Sequence, residues 1–427
     1  MKKIAIHTLG CKLNFSESSD LVRQFVSKGY QVVDFKGFAD VYVVNSCTVT
    51  AIAEKKCRTA IHHAVHTNPD AVVAVVGCFS QVNAQEISKI HGVDIIIGNA
   101  DKHLLAERVE QYLASGKPQH AVAPMGKDDP FVASYSTGDR TRSFFKVQDG
   151  CDYFCTYCEI PFARGRSRSQ NVADTVTMAR QIAASGVKEI VLTGINTGEF
   201  GKQHGENFFQ LIKELDRVEE ISRYRISSIE PNLLTDDMID FIARSRAFLP
   251  HFHIPLQAGS NTVLQLMKRR YTTQFYAQRL HKIKSVMPDA CIAADVIVGF
   301  NGETDEEFSN ACRFIESLPI SYLHVFTYSE RPGTRALAMD GKVPVNVRRE
   351  RSKVLHQISD SKKKEFYQSN FGTEHDVLWE GDVHDGFLLG FTDNYIRVKT
   401  PFVSAKVNSV EKVAVCKENV VVDWQLA

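Results

Sequence analysis

Apolar residues come in short unbroken runs separated by longer mixed stretches through most of the chain. The runs at 3–6, 41–44, 72–76 and 95–97 are predicted strands, with helical segments between them. Continuous apolar strands alternating with helices predict a parallel sheet covered on both faces. Residues 1–113 are therefore expected to form an open parallel α/β domain. Residues 114–142, dense in Gly, Pro, Ser and charge, read as a linker. The alternation then resumes, with predicted strands at 144–147, 189–192, 224–227, 251–254, 293–298 and 322–326. Six consecutive βα units predict a partial TIM-type barrel over 143–366, whose site lies at the C-terminal ends of the strands. Its last segment, 343–366, reads as a basic helix. From 367 to 427 apolar and polar residues alternate, with turn signals at His384-Asp385-Gly386 and Thr392-Asp393-Asn394. That texture predicts a small antiparallel β-barrel. The expected fold class is α/β: an open parallel domain, a (βα)6 partial barrel and a small β-barrel.

Composition adds little. The chain has 427 residues, 44% hydrophobic and 24% charged, with a formal net charge of +1. No apolar run approaches the ~18 residues that span a membrane. The start of the chain is too short in apolar residues for a signal peptide and reads as a first strand. The expected location is the cytoplasm, without membrane attachment. Thiols stay reduced there, so clustered cysteines point to metal or redox chemistry rather than disulfides.

Three of the ten cysteines lie within eight residues, Cys151-Asp152-Tyr153-Phe154-Cys155-Thr156-Tyr157-Cys158. Structural zinc takes four ligands, and no fourth Cys or His follows nearby. Three thiolates suit a 4Fe-4S cluster with one iron left open. Tyr153 and Phe154 are placed to shield it from water. Three further cysteines, Cys11, Cys47 and Cys78, are far apart in sequence, but each follows a predicted strand. In an open α/β sheet those strand ends converge on one crevice. Gly10 and Gly77 would allow close backbone approach there. Three thiolates at one edge can hold a second cluster. Cys57, Cys291, Cys312 and Cys416 show no such placement and are assigned to packing. His62, His63 and His66 are read as a helix face rather than a metal site.

The C-x3-C-x2-C loop after the first strand of a βα series resembles the radical SAM enzymes. That resemblance implies a 4Fe-4S cluster whose open iron chelates S-adenosylmethionine (SAM), and reductive cleavage of SAM to a 5′-deoxyadenosyl radical. It implies SAM contacts at Gly194 and Asn196 of Thr193-Gly194-Ile195-Asn196, which departs from the commoner Gly-Gly-Glu form. It also implies contacts at Ser228 and Glu230 for the ribose, at Gly299 after the strand beside the adenine, and at Tyr157.

Strand-end cysteines, a radical SAM loop and a terminal β-barrel together resemble the radical SAM methylthiotransferases over nearly the whole chain. The stretches 253–261, 267–271 and 298–304 add to the likeness. The β-barrel then corresponds to the TRAM domain, an RNA- or substrate-binding module. Thr8-Leu9-Gly10-Cys11-Lys12-Leu13-Asn14 looks most like the MtaB-type branch. That branch attaches a methylthio group to C2 of N6-threonylcarbamoyladenosine beside the tRNA anticodon. The resemblance implies two 4Fe-4S clusters, on Cys11, Cys47 and Cys78 and on Cys151, Cys155 and Cys158. It implies two SAM molecules, one donating methyl to a sulfur at the auxiliary cluster and one yielding the radical. An external electron donor such as a flavodoxin or ferredoxin is implied too. An aromatic C–H carries no acidic proton, so no acid/base residue is singled out.

The tRNA anticodon loop would meet Arg and Lys. Candidates are Arg164, Arg166 and Arg168, then Lys268-Arg269-Arg270, then the cations of 348–364. Residues 368–427 hold nine Asp/Glu against five Lys/Arg. The terminal barrel must therefore bind RNA through local patches or shape, or contact the threonylcarbamoyl group instead. Two other readings stay open. One is the same chemistry on isopentenyladenosine or on a ribosomal-protein aspartate. The other is an iron–sulfur sensor that binds RNA without turnover.

Overall fold

The computed structural model describes residues 1–126, 129–137 and 141–421. The first domain runs β1 (Lys3–Thr8), α1 (Lys12–Ser27), β2 (Gln31–Val32), β3 (Val41–Ser46), α2 (Ala51–Thr67), β4 (Val72–Gly77), α3 (Cys78–Ile87), β5 (Ile95–Ile97), α4 (Leu105–Ser115) and β6 (Gln119–Ala121). The sheet order is β2-β1-β3-β4-β5-β6, all parallel. Alternate residues of one strand face opposite layers. Val41 and Val43 pack with Leu21 and Phe25 of α1, while Tyr42 and Val44 pack with Cys57 and Ile61 of α2. Burial on both sides is why these strands read as unbroken apolar runs.

The segment expected to be a linker also builds structure. It supplies β6 to this sheet and β7 (Ser134–Tyr135) to the next, where β7 pairs antiparallel with β8 (Arg142–Lys146). Both strands are too short to leave a periodic signal.

The middle of the chain continues with β9 (Gln148–Asp149), α5 (Ile160–Arg164), β10 (Arg168–Ser169), α6 (Val172–Ala184), β11 (Glu189–Thr193), α7 (Phe208–Asp216), β12 (Arg223–Ile226), α8 (Asp236–Ile242), β13 (His251–His253), α9 (Asn261–Leu266), α10 (Thr273–Val286), β14 (Cys291–Val298), α11 (Asp305–Ser317), β15 (Tyr322–Thr327) and α12 (Val345–Ser369). The strands form two half-sheets, β12-β11-β8-β7 and β13-β14-β15, joined through a Tyr224–Phe248 bridge. Apart from β7, their pairings are parallel, which makes the six-stranded partial barrel the sequence predicts. Side-chain caps start its helices: Asn171, Asn207, Thr235, Thr272 and Thr304 each accept a backbone N–H of the first turn.

The last domain is an antiparallel sheet of β16 (Glu374–His384), β17 (Phe387–Thr392), β18 (Arg397–Pro401) and β19 (Val410–Ala414), in the order β18-β17-β16-β19. Asp385 and Gly386 both have positive φ, +49° and +81°. A two-residue hairpin turn of the I′ kind requires this, and Asp-Gly favours it. Trp379, Leu388 and Val398 form a small core with Phe366 and Tyr367 of α12.

A buried charge cluster fixes this domain to the barrel. Glu189 accepts from Arg223 at 2.9 Å and from Arg225 at 3.0 Å, and both guanidiniums donate onward to carbonyls of 376–393. Burial alone would raise the Glu189 pKa, but Arg225, Arg223 and Arg142 outweigh it and hold the carboxyl far below its usual range. Glu189→Gln should cost about 3–5 kcal/mol in chemical denaturation, because it strands buried guanidiniums. The folded-state pKa is depressed, so the stabilisation is present above the unfolded pKa of ~4.3 and is lost as pH falls below it.

Candidate functional site

β1, β3 and β4 are neighbours in the sheet, so the loops that leave their C-terminal ends lie side by side. They carry Cys11, Cys47 and Cys78. Gly10 (φ +94°) and Gly77 (φ +101°) occupy left-handed backbone. A Cβ on Gly10 would stand 2.7 Å from Cys47 Sγ, and one on Gly77 would stand 2.7 Å from Asn45 Oδ1. Only glycine lets these loops close to this extent. Asn14 ties them together, donating to Leu9 O at 2.7 Å and Ser46 O at 3.0 Å. Cys47 and Cys78 are buried, and Cys11 is open at the mouth. Burial, and then the neighbouring Cys78, push the Cys47 thiol up to about 12. The Asn99 amide stands 3.6 Å from Cys78 Sγ as a donor.

The second triad lies on the loop after β9. Phe154 at φ +51° curls the loop back on itself. The Tyr153 amide donates to Cys151 Sγ at 3.4 Å. Arg269 donates to Cys155 Sγ at 3.1 Å, approaches the Tyr157 hydroxyl at 3.5 Å, and pairs with Glu230. Burial, then Cys155, push the Cys158 thiol up to about 12.

One cysteine of each triad, Cys158 and Cys11, reaches a pair of adjoining cavities. A cavity of about 200 Å³ runs from Tyr157 and Cys158 to Asp295 and Phe326. Those two residues also line a second cavity of about 590 Å³, which continues past Thr193, Gly194, Ser227 and Ser228 to Cys11. The larger cavity is walled by residues of five of the six barrel strands, by Ser227 and Ser228 just past the end of β12, and by the start of α1. Many such barrels fill their interior with apolar layers. Here His253 Nε2 stands 2.7 Å from Asp295, with His324 beside them. Thr193 Oγ1, Ser227 Oγ, the Asn196 amide and both ring nitrogens of His251 are buried without partners. Each such group costs about 1–3 kcal/mol unless a ligand completes it.

Residues 3–98 match the family described as "Uncharacterized protein family UPF0004", and residues 145–315 match the Radical SAM superfamily. A Bacillus subtilis protein named threonylcarbamoyladenosine tRNA methylthiotransferase MtaB is 42% identical, covering 98% of this chain and 94% of that protein. An Aquifex aeolicus protein of the same name is 38% identical over 93% of this chain and 96% of its own. A Fusobacterium nucleatum tRNA-2-methylthio-N(6)-dimethylallyladenosine synthase is 33% identical, with 87% and 86% covered.

The chain belongs to the radical SAM methylthiotransferases.

In fold it is similar to the radical SAM methyltransferase TsrM from Kitasatospora setae, with a TM-score of 0.57 at 15% identity, covering 79% of this chain and 77% of that one.

The residues present fit the iron–sulfur groups of such a methylthiotransferase. Neither triad brings its three sulfurs within 4.8 Å of one another. Thiolates on a single zinc, with bonds of ~2.3 Å, sit closer, at roughly 3.8 Å. Three thiols in each triad supply the donor set of a four-iron cluster with one iron left open. Glu17, the carboxylate that Cys11 senses, is already held by Lys102, Lys146 and Arg164. The orphaned polar atoms of Thr193, Asn196 and Ser227 fit a polar ligand such as SAM.

The other residues expected to touch SAM fall into three groups. Gly194, Ser228 and Tyr157 line the cavities. Glu230 is engaged by Arg269. Gly299 lines neither cavity, and its open side faces Arg348, whose Cγ lies 2.3 Å from where a Cβ would stand.

The expected basic patches need a larger correction. Arg164 is fully buried between Glu17 and Asp149, and Arg168 is buried on Asp149. Arg348 and Arg351 of α12 are buried against Glu330 and against Glu303 and Asp305. Arg269, just after α9, is turned onto the Cys151–Cys158 loop. Arg166, stacked 4.4 Å over Phe154, and Arg270, 3.9 Å over Tyr153, remain toward solvent, as do Lys268 and, on α12, Arg349, Lys353 and Lys364. Cys57 and Cys291 are buried in apolar cores, as expected of packing residues.

Sequence reasoning missed Glu17, gave Arg164 an RNA-facing role that its burial excludes, and missed the polar inner face of β13–β15. One signal was available. α1 buries Asn14, Ser16, Glu17, Ser18 and Ser19, too polar a face for a helix that merely covers a sheet.

Proposed function

We propose that the protein attaches a methylthio group to C2 of N6-threonylcarbamoyladenosine beside the anticodon of tRNA. The observation that carries this reading is a pair of adjoining cavities, sharing Asp295 and Phe326, that Cys158 of one triad and Cys11 of the other both line. Cys151, Cys155 and Cys158 would hold one 4Fe-4S cluster and bind SAM, and Cys11, Cys47 and Cys78 would hold the other. When bound, these groups supply one-electron cleavage of a sulfonium, the radical that activates an aromatic C–H, and a site for the sulfur that is transferred.

The chain's own residues do the rest. Thr193, Asn196, Ser227 and Ser228 offer polar atoms to SAM. Arg269 sets positive charge against Cys155, and Asn99 donates toward Cys78. Hydrogen bonds to cluster sulfurs tune the potential of such sites. Thr48 donates to Glu159 at 2.8 Å, which ties the loop after Cys47 to the residue after Cys158.

The anticodon loop would meet the rim, where Arg166 over Phe154, Arg270 over Tyr153 and the exposed Phe162 offer charge and stacking faces. An electron donor such as a flavodoxin or ferredoxin would serve the SAM-side cluster, and the setting would be the cytoplasm. The four-stranded terminal domain would act as the TRAM-like module. The threonylcarbamoyl substrate is favoured by relatives of that name at 35–42% identity, against 31–33% for dimethylallyladenosine synthases.

Mass spectrometry of tRNA nucleosides from a deletion strain tests the assignment. The methylthio form of threonylcarbamoyladenosine should vanish, with its unmodified precursor accumulating, and a plasmid copy should restore it. Loss of methylthio-isopentenyladenosine instead would overturn the reading.

A further inference from the structure

The floor of the lumen carries positive charge without a matching anion. Lys12 enters it from the first position of α1, where the helix dipole disfavours a cation, and the first turn of α1 holds no acidic residue. Among the described residues no carboxylate pairs with Lys12. Glu189 is taken by Arg223 and Arg225, and Asp295 by His253. Tyr395 reaches the same floor from the terminal domain, in left-handed backbone at φ +71°. A tyrosine held there marks a site that the surrounding structure over-determines. Its ring lies 4.4 Å from that of His251. His251 is 4% exposed, lines the cavity, and has no partner on either nitrogen.

The potential is felt by both rings. Burial would raise the Tyr395 pKa, but Arg142, Lys12 and Arg225 bring it below its usual value. Burial, Arg225 and Lys12 push His251 well below its own, so it stays neutral.

We propose that this floor receives the free carboxylate of the threonylcarbamoyl group, with Lys12 as its charge partner and His251 and Tyr395 as neutral hydrogen-bond donors. The inference rests on the substrate assigned above. It makes Lys12 a specificity-determining residue, because an isopentenyl group has no charge to offer. SAM also carries a carboxylate. Thr193, Gly194, Ser227 and Ser228 share the larger cavity with Lys12, His251 and Tyr395. However, the open iron that would chelate the SAM carboxylate belongs to the triad at Tyr157 and Cys158, in the smaller cavity, which none of Lys12, His251 and Tyr395 lines. The KM for SAM in the test below separates the two.

The test uses the reconstituted full-length holoenzyme and anticodon stem-loops bearing either threonylcarbamoyladenosine or its methyl ester. The readout is the ratio of kcat/KM for the acid to that for the ester, in the wild type, Lys12→Met and Lys12→Arg. A charge-assisted hydrogen bond predicts a fall of roughly tenfold or more in this ratio for Lys12→Met. Lys12→Arg should restore most of the preference. An equal loss on both substrates would mean a structural lysine and overturn the proposal. So would an unchanged ratio with a raised KM for SAM, which would assign the charge to SAM. A wild type that modifies isopentenyladenosine stem-loops but neither of these would sink the substrate assignment, and this proposal with it. That outcome is visible before any variant is made.

Discussion

Cys78→Ala protein is expected to cleave SAM reductively yet place no methylthio group on tRNA, whereas Cys158→Ala protein does neither. The two cysteines sit on different domains, Cys78 at the end of β4 and Cys158 in the loop after β9. Losing one triad therefore leaves the other's backbone untouched. Partners one shell out from a metal ligand commonly matter 10–100-fold. Removing a ligand itself should lower methylthiolated product by more than roughly 100-fold. Asn99→Ala, which removes the amide beside Cys78 Sγ together with its 2.7 Å bond to Ala163 O, should fall within the 10–100-fold range. Under dithionite, 5′-deoxyadenosine is followed by chromatography and the tRNA nucleosides by mass spectrometry. Full methylthiolation by Cys78→Ala protein would remove the first triad from the chemistry.

Arg164→Met is expected to destabilise the protein by about 3–5 kcal/mol, the cost of breaking a buried ion cluster from one side. Arg164 joins the two domains that carry the cysteine triads. It donates to Glu17 at 3.1 Å and Asn14 at 2.6 Å in α1, and to Asp149 at 3.0 Å in β9. Burial would raise the Glu17 pKa, but Arg164, Lys102 and Lys146 hold it well below its usual value. That support is present above the unfolded pKa of ~4.3 and fades as pH drops below it. Removing Arg164 should also weaken iron binding at Cys11 and Cys78, because its charge lies beside both thiols. In a cycle with Glu17→Gln, the double variant should lose clearly less than the sum of the two single losses, since the residues share one network. A change within ±0.5 kcal/mol, usual for surface substitutions, would place Arg164 on the RNA-facing exterior instead.

Much of the fold was legible because its signals are local. Strands buried on both faces, such as Val72–Gly77, leave apolar runs that polar loops do not imitate. The Asp385-Gly386 turn announces its hairpin. The first cysteine triad was legible for a topological reason. Each thiol follows a strand, and parallel strands deliver their ends to one edge. Charge was not legible. Arg164 meets Glu17 across 147 positions, and nothing in the neighbourhood of either shows the pairing. A cluster of arginines after the second triad therefore reads as an RNA patch while serving as an interdomain bolt. The lumen was half legible. His251-Phe252-His253 and Tyr322-Leu323-His324 alternate as strands do, but whether the polar side turns in or out depends on barrel closure. That closure involves α1 of another domain, which no periodicity in β13 or β15 records. β6 and β7 were hidden by their length.

The most direct test of two triads holding two clusters is iron and sulfide content, with electron paramagnetic resonance, on anaerobically reconstituted full-length protein. The account predicts about eight irons per chain from two four-iron clusters. It predicts about four in the Cys11/Cys47/Cys78 triple alanine variant and about four in the Cys151/Cys155/Cys158 variant. SAM should perturb the spectrum of the first variant and leave that of the second unchanged. About four irons in the wild type, or bound zinc in place of iron, would contradict it.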